Sequence, residues 1–273
     1  GTPYGYLRKK AAQVYRYDYS NDTANASLIG SLVPGPAMTA WSASTRTHGY
    51  MYQGEGASAD DIYKMDYSSD TTMSAPGATM TNPQKQATAC GNDNYAWISG
   101  GTTTGSSRVT RFDFSNDTTN TSPKGNLQNS IRIATASGNT DSGYVAGGWQ
   151  SGRKIHKIDY SNDTATQNTT GAELSPAGGN GQNSGSDNNY MWMAGGYGYT
   201  GHTRIERLDF SNDTVDPSVR ANTSYSKSWA TSVTNGTTGM YWAAGNQQGS
   251  VIERFNFSND TSNSVFVAYW PGY

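Results

Sequence analysis

Six near-copies of one ten-residue string recur along the chain: VYRYDYSNDT, IYKMDYSSDT, VTRFDFSNDT, IHKIDYSNDT, IERLDFSNDT and IERFNFSNDT. Their shared acidic position falls at Asp18, Asp66, Asp113, Asp159 and Asp209, with Asn256 in the last copy, so the steps are 48, 47, 46, 50 and 47 residues. A period in this range marks an array of equal structural units that bury their apolar faces against one another. The repeat runs from near the first residue to near the last of 273 and leaves no linker, which predicts one domain over residues 1–273.

The same strings fix the element type. Val or Ile, a basic residue and Asp stand at alternate positions, with large apolar residues and Tyr or Phe in the other register, a period of two that belongs to a strand. The Ser-Asn-Asp that follows tolerates left-handed and bridge conformations and bonds its own backbone, so it reads as the reversal into the next strand. A second motif keeps the beat half a unit earlier: GYMYQGEG from Gly49, NYAWISGG from Asn94, SGYVAGGW from Ser142, NYMWMAGG from Asn189 and MYWAAGN from Met240. Each is an aromatic and small-apolar run closed by glycine, as a buried strand ending in a tight turn requires. One interval shows the full set: IATAS at 133–137, GYVAGG at 143–148, KIHKIDY at 154–160 and a polar strand beginning near Ala165. Four short strands in each of six units predict an all-β, six-bladed β-propeller with four-stranded antiparallel blades.

Ring closure breaks the regularity. YGYLRKK, at 4–10, supplies a second strand for blade one, but no residues remain for its innermost strand; SNSVFVAYWPGY, at 262–273, supplies the outer strand of blade six and a short tail. The first blade is therefore expected to be incomplete, with an open edge that invites pairing. Upstream residues, the C-terminal tail or a neighbouring subunit is expected to fill it.

Composition excludes several classes. Apolar residues are 34% of the chain and mean hydropathy is -0.73, but seven Trp, 19 Tyr and the strict period argue against disorder. Nineteen Lys and Arg against 21 Asp and Glu give a net charge of -2, and no stretch concentrates basic residues, so no nucleic-acid partner is expected. No apolar run approaches the roughly 20 residues a membrane helix needs, so a soluble protein without membrane insertion is expected. The single Cys90 allows neither an internal disulfide nor a cysteine metal cage, and it stands in ATACGND where other repeats have Ala, Ser or Thr, as a small core-strand residue.

The double glycine after an aromatic strand, followed by a third strand carrying Tyr or Phe, resembles the kelch repeat over nearly the whole chain. The tryptophan that kelch units carry beyond the tyrosine is replaced here by the Asn-Asp-Thr corner. The refrain DYSNDT or DFSNDT, followed by polar residues and a GG strand, is similar to kelch-like repeat proteins of marine cyanophages and related tailed phages. That resemblance implies a virion structural or tail-fibre component, on the virion or extracellular and part of an oligomeric assembly. Its implied partners are a host surface glycan or protein, or other virion proteins.

The candidate sites each carry two readings. Arg16, Lys64, Arg111, Lys157, Arg207 and Arg254 stand two positions before the shared acid, on the same strand face; each can pair with that neighbour or bridge to the adjacent blade, while a ring of six could instead bind a polyanion. Asp18, Ser20 and Asp22 have the spacing of the first ligands of a calcium loop but lack its sixth-position glycine and distal acid, so capping of the hairpin is the ordinary reading and no metal is expected. NDT is a glycosylation sequon at Asn21, Asn116, Asn162, Asn212 and Asn259, created automatically by a repeated turn. His48, His156 and His202 fall at unrelated repeat positions and no nucleophile or phosphate-loop motif occurs, so neither catalysis nor a cofactor is expected. The turns from second to third strand vary from blade to blade, as GEGASADD, GGTTTGSSR, GGWQSGRK, GGYGYTGHTR and GNQQGS, and function gathers on variable loops held by a repeated scaffold. On that face Trp149, Tyr197, Tyr199 and His202 are candidates for ligand contact, joined by Trp41 and Trp229 ahead of innermost strands; the alternative for these two is that they plug the channel.

Overall fold

Each repeat folds into one antiparallel sheet, and six sheets stand around an axis as the blades of a β-propeller. The structure, a computed structural model, describes residues 3–8, 13–31, 41–52, 60–70, 73–101, 107–149, 151–175, 179–197, 203–226, 228–243 and 250–271. Blade one holds β1 (Tyr4–Arg8), β2 (Gln13–Asp18) and β3 (Ser27–Ser31), and blade two holds β4 (Ser42–Ser44), β5 (His48–Tyr52), β6 (Ile62–Asp66) and β7 (Met73–Ser74). Blade three holds β8 (Thr88–Gly91), β9 (Tyr95–Ser99), β10 (Arg108–Asp113) and β11 (Ser122–Asn126). Blade four holds β12 (Thr135–Gly138), β13 (Ser142–Ala146), β14 (Lys154–Asp159) and β15 (Thr169–Glu173). Blade five holds β16 (Asn183–Ser186), β17 (Tyr190–Ala194), β18 (Arg204–Asp209) and β19 (Ser218–Asn222), and blade six holds β20 (Thr231–Thr234), β21 (Gly239–Ala243), β22 (Val251–Asn256) and β23 (Val265–Tyr269).

Strand ends differ from the sequence expectation for local reasons. β12 starts two residues after Ile133, whose φ of +56° turns the chain before the strand can begin. β14 stops at Asp159 because that carboxylate accepts the Ser161 N–H and opens a 3-10 turn over Tyr160–Asn162. The fourth strand begins at Thr169, four residues beyond Ala165. Blade one is three-stranded among the described residues, in the order β1-β2-β3.

The core lies between blades as much as within them. One cluster joins Tyr144, Ala146 and Ile155 of blade four to Met191, Met193 and Leu208 of blade five; another joins Trp192 and Ile205 of blade five to Met240, Trp242 and Phe255 of blade six. Near the axis, the innermost strands carry small residues and exchange hydroxyl bonds: Thr135 Oγ1 donates to Ser184 Oγ at 2.6 Å, Ser137 and Ser186 share a bond of 2.6 Å, and Ser232 Oγ donates to the Ser184 carbonyl at 3.0 Å.

The repeated corner is the joint between blades. Its first acid does not pair with the basic residue two positions earlier; Asp18, Asp113, Asp159 and Asp209, with Asn256, accept the N–H and hydroxyl of the following corner serine, and Asp66 accepts the Ser68 N–H. Its second acid takes the basic residue of the preceding blade. Arg16 reaches Asp70 at 2.8 Å, Lys64 reaches Asp117 at 2.6 Å, Arg111 reaches Asp163 at 3.0 Å, and Lys157 and Arg207 reach Asp213 and Asp260 at 2.7 Å. Arg254 of blade six pairs with Asp22 of blade one, which closes the ring.

Two further contacts repeat at every joint. The central aromatic of each second strand donates to that same acid: Tyr6 to Asp70, Tyr50 to Asp117, Trp97 to Asp163, Tyr144 to Asp213, Trp192 to Asp260 and Tyr241 to Asp22. The same ring stacks on the corner's Tyr or Phe, at centroid distances from 3.8 Å for Trp97 on Tyr160 to 5.1 Å for Tyr241 on Tyr19. Cation, aromatic donor and stacked ring thus converge on one carboxylate six times over.

Candidate functional site

At the opposite ends of the strands from the corners, the sequence needs glycine because backbones touch. Gly100 and Gly147 end second strands with φ of +75° and +70°, and a Cβ there would lie 2.5 Å from the Ile131 carbonyl and 2.3 Å from the Gly179 carbonyl. Only glycine supplies both the left-handed backbone and the missing atom. Beyond this pinch the described ends of three variable loops are tied to connections that enter innermost strands: Gly101 N donates to Ile131 O and Gly148 N to Gly179 O of the next blade, and Trp149 N to Arg132 O and Tyr197 N to Asn180 O of the same blade.

Those connections share a kink two residues before the strand. Gln86, Ile133, Gly181 and Trp229 have φ of +60°, +56°, +63° and +62°. Their backbones link around the axis, with Ile133 N on Gln86 O, Gly181 N on Ile133 O and Trp229 N on Gly181 O. The kinks form the rim of the channel mouth.

Three of the six sequence candidates come together on this face. Trp149 is 50% exposed, and the Arg132 guanidinium lies 5.2 Å from its ring centroid. Tyr197 is 57% exposed and bridges Asn180, while Trp229 is 38% exposed and lies over Gly181. Tyr197 and Trp229 bond directly to Asn180 and Gly181, and Trp149 follows Gly148, which bonds to Gly179. Trp41 is not with them: it is 3% exposed and stacks on Tyr52 at 5.9 Å in the core beside blade three, so it contributes packing and is corrected from a contact candidate. Tyr199 and His202 lie outside the described residues, as do most of the variable loop tips.

Sequence reasoning missed Arg132 and the charge of this face. Among the described residues it carries Lys85, Arg108, Arg132, Arg153, Lys154 and Arg204 against Asp60, Asp61 and Glu173, with Glu206 and Glu253 buried beneath it and bonded to the Ser175 and Ser224 N–H groups, while the corner acids all stand at the other end of the strands. Arg153 pairs with Glu173 at 3.4 Å; Arg132 makes no ion pair among the described residues, and its Nε is buried without a hydrogen-bond partner. The signal was present as position within the repeat rather than as a run: these basic residues flank variable turns, and the acids follow Ser-Asn or Ser-Ser.

Other features fit packing. The Cys90 thiol is buried on β8 and desolvation pushes its pKa up to about 12, so it is no nucleophile. Burial likewise pushes the His156 imidazole down to about 4. A depression of about 340 Å³ on the corner side of blade two is lined by His48, Lys64, Asp66, Ser69, Ser74 and Pro76 and contains no aromatic side chain but the imidazole. No group of three or more metal-binding side chains occurs among the described residues, and none of their helices is long and apolar enough to cross a membrane.

Comparison with known proteins bears on the fold. No protein-family model matches the chain, and no curated protein matches it in sequence. In shape it is similar to a solved structure described as "Structure of YjhT", with a TM-score of 0.74 and 13% identity over 97% of this chain and 96% of that one. At that identity the likeness establishes the six-bladed propeller and leaves the ligand to the chain's own surface.

Proposed function

We propose that this chain is a non-enzymatic virion structural or tail-fibre protein that attaches to a host surface glycan through the variable face of the propeller. The observation that carries the reading is Trp149, Tyr197 and Trp229 exposed on one face beside Arg132. Flat aromatic surface packs against sugar rings, and an arginine with no carboxylate partner among the described residues is available to ligand oxygens. Affinity per copy is modest and is multiplied when several copies are presented together.

A glycan array probed with the purified protein tests this, with neutral and acidic glycans printed side by side. Binding is expected, and Trp149→Ala with Tyr197→Ala is expected to abolish it while the fold persists by circular dichroism. An array without signal, or binding indifferent to both substitutions, contradicts the reading.

One observation favours a second reading, an assembly or decoration module. The outer strand β23 exposes Val265, Phe266 and Tyr269 on the blade rim. An exposed apolar edge strand is a template for pairing with another chain. Stable oligomers in sedimentation that dissociate on Phe266→Lys would support it.

A further inference from the structure

Two side-chain atoms beside the loop that carries Trp149 are buried with no partner. The loop leaves β13 through Gly147 and Gly148, which are wedged between two connections: a Cβ on Gly148 would lie 2.9 Å from the Arg132 carbonyl, and a Cβ on Gly147 would lie 3.2 Å from Gln182 Oε1. Arg132 Nε and Gln182 Oε1 are both buried without a hydrogen-bond partner, and Gln182 is 8% exposed. Gln182 also reaches the loop of Tyr197, where a Cβ on Gly196 would lie 2.8 Å from its Cγ. A donor and an acceptor thus stand unanswered on either side of the glycine pair. Buried polar groups are normally bonded, so an orphaned pair marks a place where a ligand bonds them.

Charge narrows what that ligand is. Arginines elsewhere in the fold meet acceptors: Arg111, Arg207 and Arg220 take corner acids, Arg153 takes Glu173, and Arg204 donates to the Ser175 hydroxyl. Arg132 meets no acceptor among the described residues; its guanidinium lies 5.2 Å from the centroid of the half-exposed Trp149 ring. That ring attracts the cation but cannot neutralise it. The described acids of this face are occupied or distant: Glu173 takes Arg153, Glu206 and Glu253 take the Ser175 and Ser224 N–H groups, and Asp60 and Asp61 precede β6 in blade two.

We propose, resting on the attachment reading above, that the site takes an acidic sugar, with its carboxylate or sulfate on the Arg132 guanidinium, its ring face on Trp149 and a hydroxyl donating to Gln182 Oε1. The guanidinium fork matches two oxygens of either anion. A neutral sugar leaves the charge unanswered.

The test is an array printed in matched pairs, uronate oligosaccharides beside their methyl esters and sulfated galactans beside the desulfated chains. Acidic members are expected to capture the protein about tenfold or more better than their neutral partners, and the arm that responds identifies carboxylate or sulfate as the anion. Arg132→Gln is expected to erase the preference with circular dichroism unchanged, Arg132→Lys to restore part of it, and Gln182→Leu to lower capture severalfold with the preference intact. Neutral members captured as well as their acidic partners, or a preference that survives Arg132→Gln, would overturn the acidic-sugar assignment and leave attachment standing. An array blank for every glycan would overturn both.

Discussion

At the residue scale, the two acids of each corner have separate work. Asp18, Asp159 and Asp209 are held below the usual carboxylate range, first by the hydrogen bond from the corner serine hydroxyl. Burial pushes Asp117 and Asp260 up, but bonds from Lys64 and Tyr50, and from Arg220, Arg207 and Trp192, outweigh it and hold both below that range. Asp163, almost fully buried, takes Arg111 and the Trp97 indole N–H. Truncation leaves that guanidinium unpaired, so Asp163→Ala is expected to cost about 3 kcal/mol, read from urea unfolding. Glycines at the joints covary with their corners: Gly5, Gly49 and Gly143 accompany Tyr19, Tyr67 and Tyr160, whereas Ala96, Met191 and Met240 accompany Phe114, Phe210 and Phe257. The reason is a hydroxyl, since a Cβ on Gly49 would lie 2.9 Å from Tyr67 Oη. Gly49→Ala is expected to destabilise by about 2 kcal/mol, and Tyr67→Phe in the same chain to recover about 1 kcal/mol of it. Additive effects in that double-mutant cycle would show that the hydroxyl does not set the glycine.

At the element scale, β14 carries a pH-sensitive group at its buried third position. His156 titrates near 4 when folded because burial disfavours the imidazolium, against 6.5 ordinarily. Between those values the unfolded chain binds more protons, so stability falls as pH is lowered from 6.5 toward 4. His156→Thr, which copies Thr110 of blade three, is expected to flatten that part of the profile in thermal melts at graded pH, leaving the steeper loss at lower pH where the corner carboxylates protonate. Strand order and the corner's capping were legible in the sequence because period-two patterning and Asp-x-Ser chemistry are local. The left-handed kinks at Gln86, Ile133 and Trp229 were not: none is a residue that favours positive φ, and the bond holding each one runs to another blade. The burial of Trp41 was not legible for the same reason, since it depends on how blade two packs against blade three.

At the scale of the whole molecule, the disc is polarised. Corner acids stand at one end of every blade and basic residues flank the variable loops at the other, although net charge is only -2. Six repeats were countable from sequence, but the segregation emerges only when strand direction assigns each turn to a face. The joint that makes the ring is Arg254 with Asp22, 232 residues apart. A double-mutant cycle of Arg254→Ala and Asp22→Ala, read by unfolding free energy, tests closure most directly, with Arg207 and Asp260 as the pair between consecutive blades. A closed propeller predicts coupling of about 1 kcal/mol or more for both pairs; coupling for Arg207 with Asp260 but none for Arg254 with Asp22 would mean the first and last blades do not meet.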